Sequence, residues 1–326
     1  MPDVTDSFEH RLRVFAGAEL TKRGVPGASI GVARPGQPLV ALGVGVDNAR
    51  APRDVTEHTL FQIGSNTKTY TALVVAILAE RGELELDASV QRYCPTFTLP
   101  SEVDPAVAET VTVKMLLNHT PGWDGDALLT AHGAGGRNDD ALAQLPAQMG
   151  TIAEMLTEPG TLHHYNNTGF SLAGSVIEAV TGKSWEQVIR DEIFAPLGLA
   201  NSFFFAEECI TYACAVGHGS GKTKAGWLLP RASFPAGAIC CSVLDLLEYG
   251  RFWLGDGVPL LSSASFRAML TPTISTDISF PVDDGAGVGL GWFLGTSAGR
   301  RNIHHGGGTN GQVSSFSIFP DDGTVD

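Results

Sequence analysis

Residues 66–81 carry apolar side chains at helical spacing and almost no charge. So long a helix without a polar face must be covered on most sides, so the sequence predicts a central helix with the rest of the chain packed around it. The chain has material for such a core: 43% of its 326 residues are hydrophobic and 17% are charged, too little charge for general disorder. At roughly 150 residues per domain the length allows about two domains, or one core with a large insertion. A net charge of −14 repels phosphate backbones and argues against nucleic acid as a partner. The longest apolar stretch, residues 72–79, is too short for a bilayer, where about twenty residues are needed. The first ten residues are acidic where an export signal needs a basic tip. The expectation is therefore a cytoplasmic protein without a membrane partner. Five cysteines, with Cys240 and Cys241 adjacent and no C-x-x-C pair, are expected to be buried, reduced thiols.

Residues 5–23 read as an amphipathic helix, with Phe8, Leu12, Phe15 and Leu20 near helical spacing until Gly24 and Pro26 stop it. Residues 27–33 and 39–46 read as a hairpin turned at Pro35 and Gly36. Helices are expected at 112–118, 139–157, 168–181, 184–194, 242–254 and 262–270, and strand signals return at 288–294, 301–304 and 313–319. The order sheet, helices, sheet gives an α/β fold of the α+β kind. Both chain ends, 1–84 and 286–326, would build one antiparallel sheet flanked by helices, with a mainly helical region, 85–285, inserted between them.

Two local motifs fail on context. Gly295, Ser297 and Gly299 match G-x-S-x-G, but another strand follows where a nucleophile elbow needs a helix. The run from Gly219 to Thr223 resembles a phosphate-binding loop, but Val216 stands where the first glycine belongs. Nine histidines include no H-E-x-x-H, and no metal site is expected.

Ser65 and Lys68 stand at the start of the uncharged helix, three residues apart and so on one face. A serine hydroxyl becomes a nucleophile when a base takes its proton, and a buried lysine serves because desolvation lowers its pKa. Alone the pair is weak evidence: randomly placed, 21 serines and 6 lysines give about 0.4 such matches. Tyr165 and Asn167 form Y-x-N, a phenol able to carry a proton and an amide able to position substrate. His305 opens a glycine run, 306–308, between two strand signals, where a substrate backbone could approach the sheet edge.

These three motifs, in this order, resemble the serine β-lactamase and penicillin-binding-protein superfamily, specifically its class C-like branch of esterases and D-amino-acid peptidases. Here H-x-G at His305 stands in place of K-T-G. Residues 116–122 (LLNHTPG), 194–199 (FAPLGL), 235–238 (PAGA) and 289–292 (GLGW) also look like family segments. The resemblance implies a β-lactamase/transpeptidase-like fold and an acyl-enzyme mechanism without a cofactor. Ser65 would attack a carbonyl, with Lys68 and Tyr165 sharing the role of base and Tyr165 protonating the leaving group. Asn167 would hold Lys68 and the substrate amide, and His305 would line the pocket and hydrogen-bond near Tyr165. The backbone N–H groups of Ser65 and Gly308 would form the oxyanion hole.

The implied substrates are small esters, or amides and peptides of D-amino acids. A peptide-cyclising or acyl-transferring thioesterase and a slowly acylating penicillin-binding receptor or scaffold are the alternatives. Family members usually continue past the equivalent of Phe319 with a strand and a closing helix, so a further C-terminal segment or a second chain is expected to complete the fold. Specificity would lie in loops such as 123–138 and 205–232.

Overall fold

The computed structural model describes residues 7–126, 138–227, 229–276 and 286–326. Most of the loop at 123–138 thus lies outside the described residues, as do residue 228 and the first two residues of the expected opening helix. That helix, α1 (Phe8–Arg23), is capped by the Ser7 side chain accepting from the His10 N–H, and it ends at Gly24 in the left-handed conformation, φ 64°. Strands β1 (Gly27–Val32) and β2 (Val40–Gly45) form the expected antiparallel hairpin. Gly43 in β2 is there for contact: a Cβ would stand 2.0 Å from the Val55 carbonyl oxygen.

The uncharged segment is α2 (Thr67–Glu80), and every residue from 67 to 78 is buried. The hydroxyls of its three buried threonines are all engaged, which is what allows them to be buried. Thr69 Oγ1 donates to the Asn66 carbonyl, Thr71 Oγ1 donates to the Pro235 carbonyl, and Thr67 Oγ1 accepts from the Ile239 N–H. α4 (Asn167–Thr181) and α5 (Val243–Leu254) pack on α2, and α3 (Ala141–Ile152) packs on α4, all within one continuous hydrophobic core. A small sheet supports the start of α2: β3 (Phe61–Gln62) and β4 (Ser202–Phe203) both pair with β7 (Cys240–Cys241). The Gly219 to Thr223 run is a hairpin between β5 (His218–Gly219) and β6 (Lys222–Thr223), turned at Ser220 and Gly221 with φ of 52° and 73°. It is no phosphate cradle.

The C-terminal strands β8 (Ile274–Thr276), β9 (Ala286–Val288), β10 (Phe293–Ser297), β11 (Arg300–Gly308), β12 (Val313–Phe319) and β13 (Thr324–Val325) form one antiparallel sheet in sequence order. The Ser297 segment is the β10–β11 turn, with Ala298 and Gly299 at positive φ. The two chain ends meet where Ala33 and Val325 exchange backbone hydrogen bonds of 2.9 and 3.0 Å, as the sheet–helix–sheet order requires. α5 packs across β1, β12 and β13. Beyond that bridge β1 and the first half of β12 separate, and a cavity of about 700 Å³ lies between them, bordered by Leu246 and Leu247 of α5. Among the described residues no strand fills it.

Three sequence readings need correction. The strand expected over 288–294 breaks because Gly291 adopts φ 76°, where a Cβ would stand 2.6 Å from Cβ of Ala72. The helix expected over 184–194 changes winding from α over Trp185–Ile189 to π over Arg190–Phe194. The helix expected over 139–157 stops at Ile152, where Ala153 turns extended. The five cysteines are free and buried. Among the described residues no helix is long and apolar enough to cross a membrane.

Candidate active site

Ser65 sits in the 3-10 turn Gly64–Asn66 that opens α2. Gly64, at φ 51°, lets this turn press against β11: a Cβ there would lie 2.6 Å from the Gly308 nitrogen. The turn is also tied to β12, because Asn66 Nδ2 donates to Ser314 Oγ at 2.7 Å and Ser314 Oγ donates to the Ile63 carbonyl at 2.7 Å. The nucleophile candidate and the glycine run are thereby held in register although they are far apart in sequence.

Lys68 lies one helical turn on and is fully buried. Its Nζ donates to Ser65 Oγ at 3.0 Å, to Asn167 Oδ1 at 2.7 Å and to the Ala236 carbonyl at 2.9 Å. Burial lowers its pKa from 10.5 to about 7, while the Asp126 carboxylate works in the other direction. Near neutral pH this amine is therefore poised between a donor and a base.

Asn167 is the first residue of α4, and Asn166 caps that helix: its Oδ1 accepts from the Gly169 N–H and its Nδ2 donates to the Trp123 carbonyl. The cap fixes the tyrosine before it. Tyr165 shares a hydrogen bond with Ser65, and burial pushes its hydroxyl well above its usual pKa of 10. Its ring lies 4.9 Å from Lys68 Nζ and stacks on Phe293 and His119.

His305 joins the group, but not in the manner the resemblance implies. Its ring packs against Phe293 and Tyr165, with centroids 5.2 and 6.2 Å away, and it is buried. Nδ1 lies 2.6 Å from the Gly306 carbonyl oxygen, while Nε2 is buried without a hydrogen-bond partner, so ring contact and not a hydrogen bond joins it to Tyr165. Burial first, and Lys68 second, lower its pKa to about 3, so it is neutral.

Two neighbours were not singled out from sequence. His119, at the strained φ of 62°, uses Nδ1 to accept from the Asn166 N–H. Asp126 Oδ1 accepts from Asn167 Nδ2 at 2.6 Å. No spacing rule links these loop residues to Tyr165 and Asn167; only the fold does. Ser297 lies apart, in its hairpin turn. Among the described residues, no group of three His, Cys, Asp or Glu side chains is placed to hold a metal ion.

An amine beside a hydroxyl, with a phenol and an amide closing the ring, can take a proton from the hydroxyl and return it to a leaving group. The comparisons with known proteins agree with that arrangement. The family model described as Beta-lactamase matches residues 8–325. Penicillin-binding protein 4 of Amycolatopsis lactamdurans is 34% identical over 316 residues, covering 94% of this chain and 80% of that protein. Protein flp of Staphylococcus aureus (strain MW2) is 29% identical over 325 residues, and the chain spans 61% of its length. The octameric penicillin-binding protein homologue from Pyrococcus abyssi superposes with a TM-score of 0.84 at 27% identity, over 98% of this chain and 72% of that one. The D-amino acid amidase from Ochrobactrum anthropi SV3 superposes at 0.80 with 22% identity, over 98% and 90%, a likeness of fold. Sequence, fold and the Ser65–Lys68–Tyr165 geometry thus converge, and the chain belongs to the beta-lactamase family of the β-lactamase-fold serine hydrolase superfamily.

Proposed function

We propose that the protein is a serine hydrolase that forms an acyl-enzyme on Ser65 with small esters or with amides of D-amino acids. The observation that carries this reading is the Lys68 amine, buried, 3.0 Å from Ser65 Oγ and with its pKa lowered to about 7. A neutral amine takes the Ser65 proton as Oγ attacks the carbonyl carbon. Tyr165 stays protonated because burial raises its pKa, so it acts as the acid: its proton passes to the leaving amine or alkoxide and is replaced from Lys68. Water then attacks the ester carbonyl and gives a proton to the Lys68–Tyr165 pair, which returns a proton to Ser65 Oγ as it leaves and frees the acid. Ser65 and Gly308 supply the oxyanion N–H groups in this scheme. The site lies between the sheet-bearing part, 1–84 and 286–326, and the helical part, 85–285, and that division belongs to the same proposal.

The neutral His305 favours esters and amides over β-lactams. A cation in the third motif would attract the β-lactam carboxylate, and a buried neutral imidazole does not. A panel of p-nitrophenyl esters, D- and L-aminoacyl p-nitroanilides and a chromogenic cephalosporin tests this. Esters and D-aminoacyl anilides should lead by at least about tenfold in kcat/KM. A cephalosporin turned over fastest would overturn the assignment.

The same chemistry sets the pH dependence. kcat/KM should rise with pH through an inflection near 7 as Lys68 loses its proton, the apparent value belonging to the Lys68–Tyr165 pair. His305, with its pKa near 3, should add no inflection at neutral pH. A flat profile between about pH 5 and 9 would count against Lys68 as the base.

A further inference from the structure

Three of the five cysteines meet at one point outside the acyl-enzyme site. Cys209, Cys214 and Cys240 form a small buried cluster with Leu60, separate from the main core, and Phe203 and Trp227 pack against it. They arrive from three segments. Cys209 ends the short helix Ala206–Cys209, Cys240 lies in β7 between β3 and β4, and Cys214 forms a parallel bridge with Leu60 just before β3. Two backbone hydrogen bonds of 2.9 Å fix that bridge, from the Leu60 N–H to the Ala213 carbonyl and from the Ala215 N–H to the Leu60 carbonyl. The three thiols hydrogen-bond to one another, and the Ala215 carbonyl oxygen is a further neighbour of Cys214 Sγ, 3.7 Å away. The cluster does not have the arrangement of a metal site. Two sulfurs in such contact need only close to about 2.05 Å to become a disulfide.

The three sulfurs are not equivalent. Hydrogen bonds from Cys209 and then Cys240 hold the Cys214 thiol below the ordinary range, against burial and the Asp47 carboxylate, and the Arg53 guanidinium adds a smaller pull in the same direction. Donation to Cys214 holds the Cys209 thiol above that range, and burial does the same for Cys240. Cys214 is also the most exposed of the three, 9% against 1% for Cys209 and 0% for Cys240, so a small oxidant meets it first. Cys209 and Cys214 bracket the turn 210–213, whose Ile210 and Tyr212 are exposed, and that turn can adjust as the two sulfurs close. Cys240 cannot adjust in the same way, because Gln62 and Phe203 pair with it on both sides. Cys94 and Cys241 belong to the main core instead.

We propose that Cys209 and Cys214 form a peroxide-reactive dithiol, in which Cys214 is the attacking sulfur and Cys209 closes the disulfide. Neither takes part in the acyl-enzyme chemistry, so the proposal stands apart from that reading. The Cys214 thiolate attacks one oxygen of hydrogen peroxide and the O–O bond breaks; hydroxide leaves, takes up the proton Cys214 had given away, and a sulfenic acid remains. The Cys209 sulfur then attacks the sulfenic sulfur, the S–OH bond breaks, and the hydroxide departs with the Cys209 proton as a second water. The two thiols lose two electrons and two protons to one peroxide, and a reducing dithiol such as dithiothreitol returns them.

The test treats the wild-type protein with one equivalent of hydrogen peroxide, blocks the remaining thiols with N-ethylmaleimide after unfolding, and maps the peptides without reduction. Cys209 and Cys214 should be recovered as a disulfide, two hydrogens lighter than the dithiol and reversed by dithiothreitol, while Cys94, Cys240 and Cys241 carry the alkyl label. The pair should be lost at least about tenfold faster than Cys94, whose thiol burial pushes up to about 11. In Cys209→Ser the sulfenic acid on Cys214 should persist and be trapped by dimedone. In Cys214→Ser the loss of Cys209 should slow to the rate of Cys94, with a melting curve to show that the variant is folded. A disulfide to Cys240 in wild type, oxidation spread evenly over the five cysteines, reaction led by Cys94, or no disulfide at all would overturn the proposal.

Discussion

Lys68→Met is expected to lower kcat/KM by at least about a thousandfold and, at the same time, to stabilise the fold. Without the amine the Ser65 proton has no acceptor in reach, and general-base assistance of this kind is worth about 10²–10⁴ in rate, with the loss of Asn167's partner added. The stability gain follows from the pKa. An amine with a pKa near 7 folded and 10.5 unfolded binds fewer protons in the folded state between those two values. Wild-type stability therefore rises with pH across that window, and at pH 7 and below the full cost of burying the amine is present. Methionine fills the same space without that cost but gives up three hydrogen bonds, and the balance favours the variant by about 2 kcal/mol at neutral pH. The advantage should shrink towards pH 10. Urea unfolding of both proteins at several pH values checks this; a variant less stable than wild type at pH 6–7 would mean that Lys68 is not buried as a strained base.

Ser65→Ala is expected to abolish turnover, leaving less than about 1/10⁴ of wild-type kcat, because no other hydroxyl replaces the covalent step. Its thermal midpoint should barely move. Ser65 is half-buried, the 3-10 turn tolerates alanine, and Lys68 Nζ keeps its acceptors on Asn167 and Ala236. The expected stability change is within about 1 kcal/mol, the worth of one hydrogen bond. Steady-state assays on a fast p-nitrophenyl ester together with a melting curve separate lost chemistry from lost fold. Activity above about 1% of wild type with an intact fold would point to another nucleophile.

The parts of the site that local spacing determines were legible in the sequence. Ser65 and Lys68 are one helical turn apart, and helix geometry alone brings them together. The turns at Gly36 and at Ala298 and Gly299 were legible as well, and each holds a residue at positive φ, whereas the hairpin turn at Ser220 and Gly221 was not read from the sequence. What tertiary contact determines was not legible. The 288–294 strand reads as continuous until α2 is seen pressing on Gly291. His305 reads as a pocket-lining group because its burial, which fixes its charge, comes from β12 and Phe293. Asp126 meets Asn167 from 41 positions away, and the third acceptor on Lys68 is a carbonyl, which no side-chain pattern can announce.

The most direct test of the account is to react the protein with a fluorophosphonate, measure its intact mass and map the modified peptide. The account predicts one adduct on wild type, carried by Ser65, forming faster as pH rises through about 7, and none on Ser65→Ala. An adduct on Ser297, or one that persists on Ser65→Ala, would contradict it.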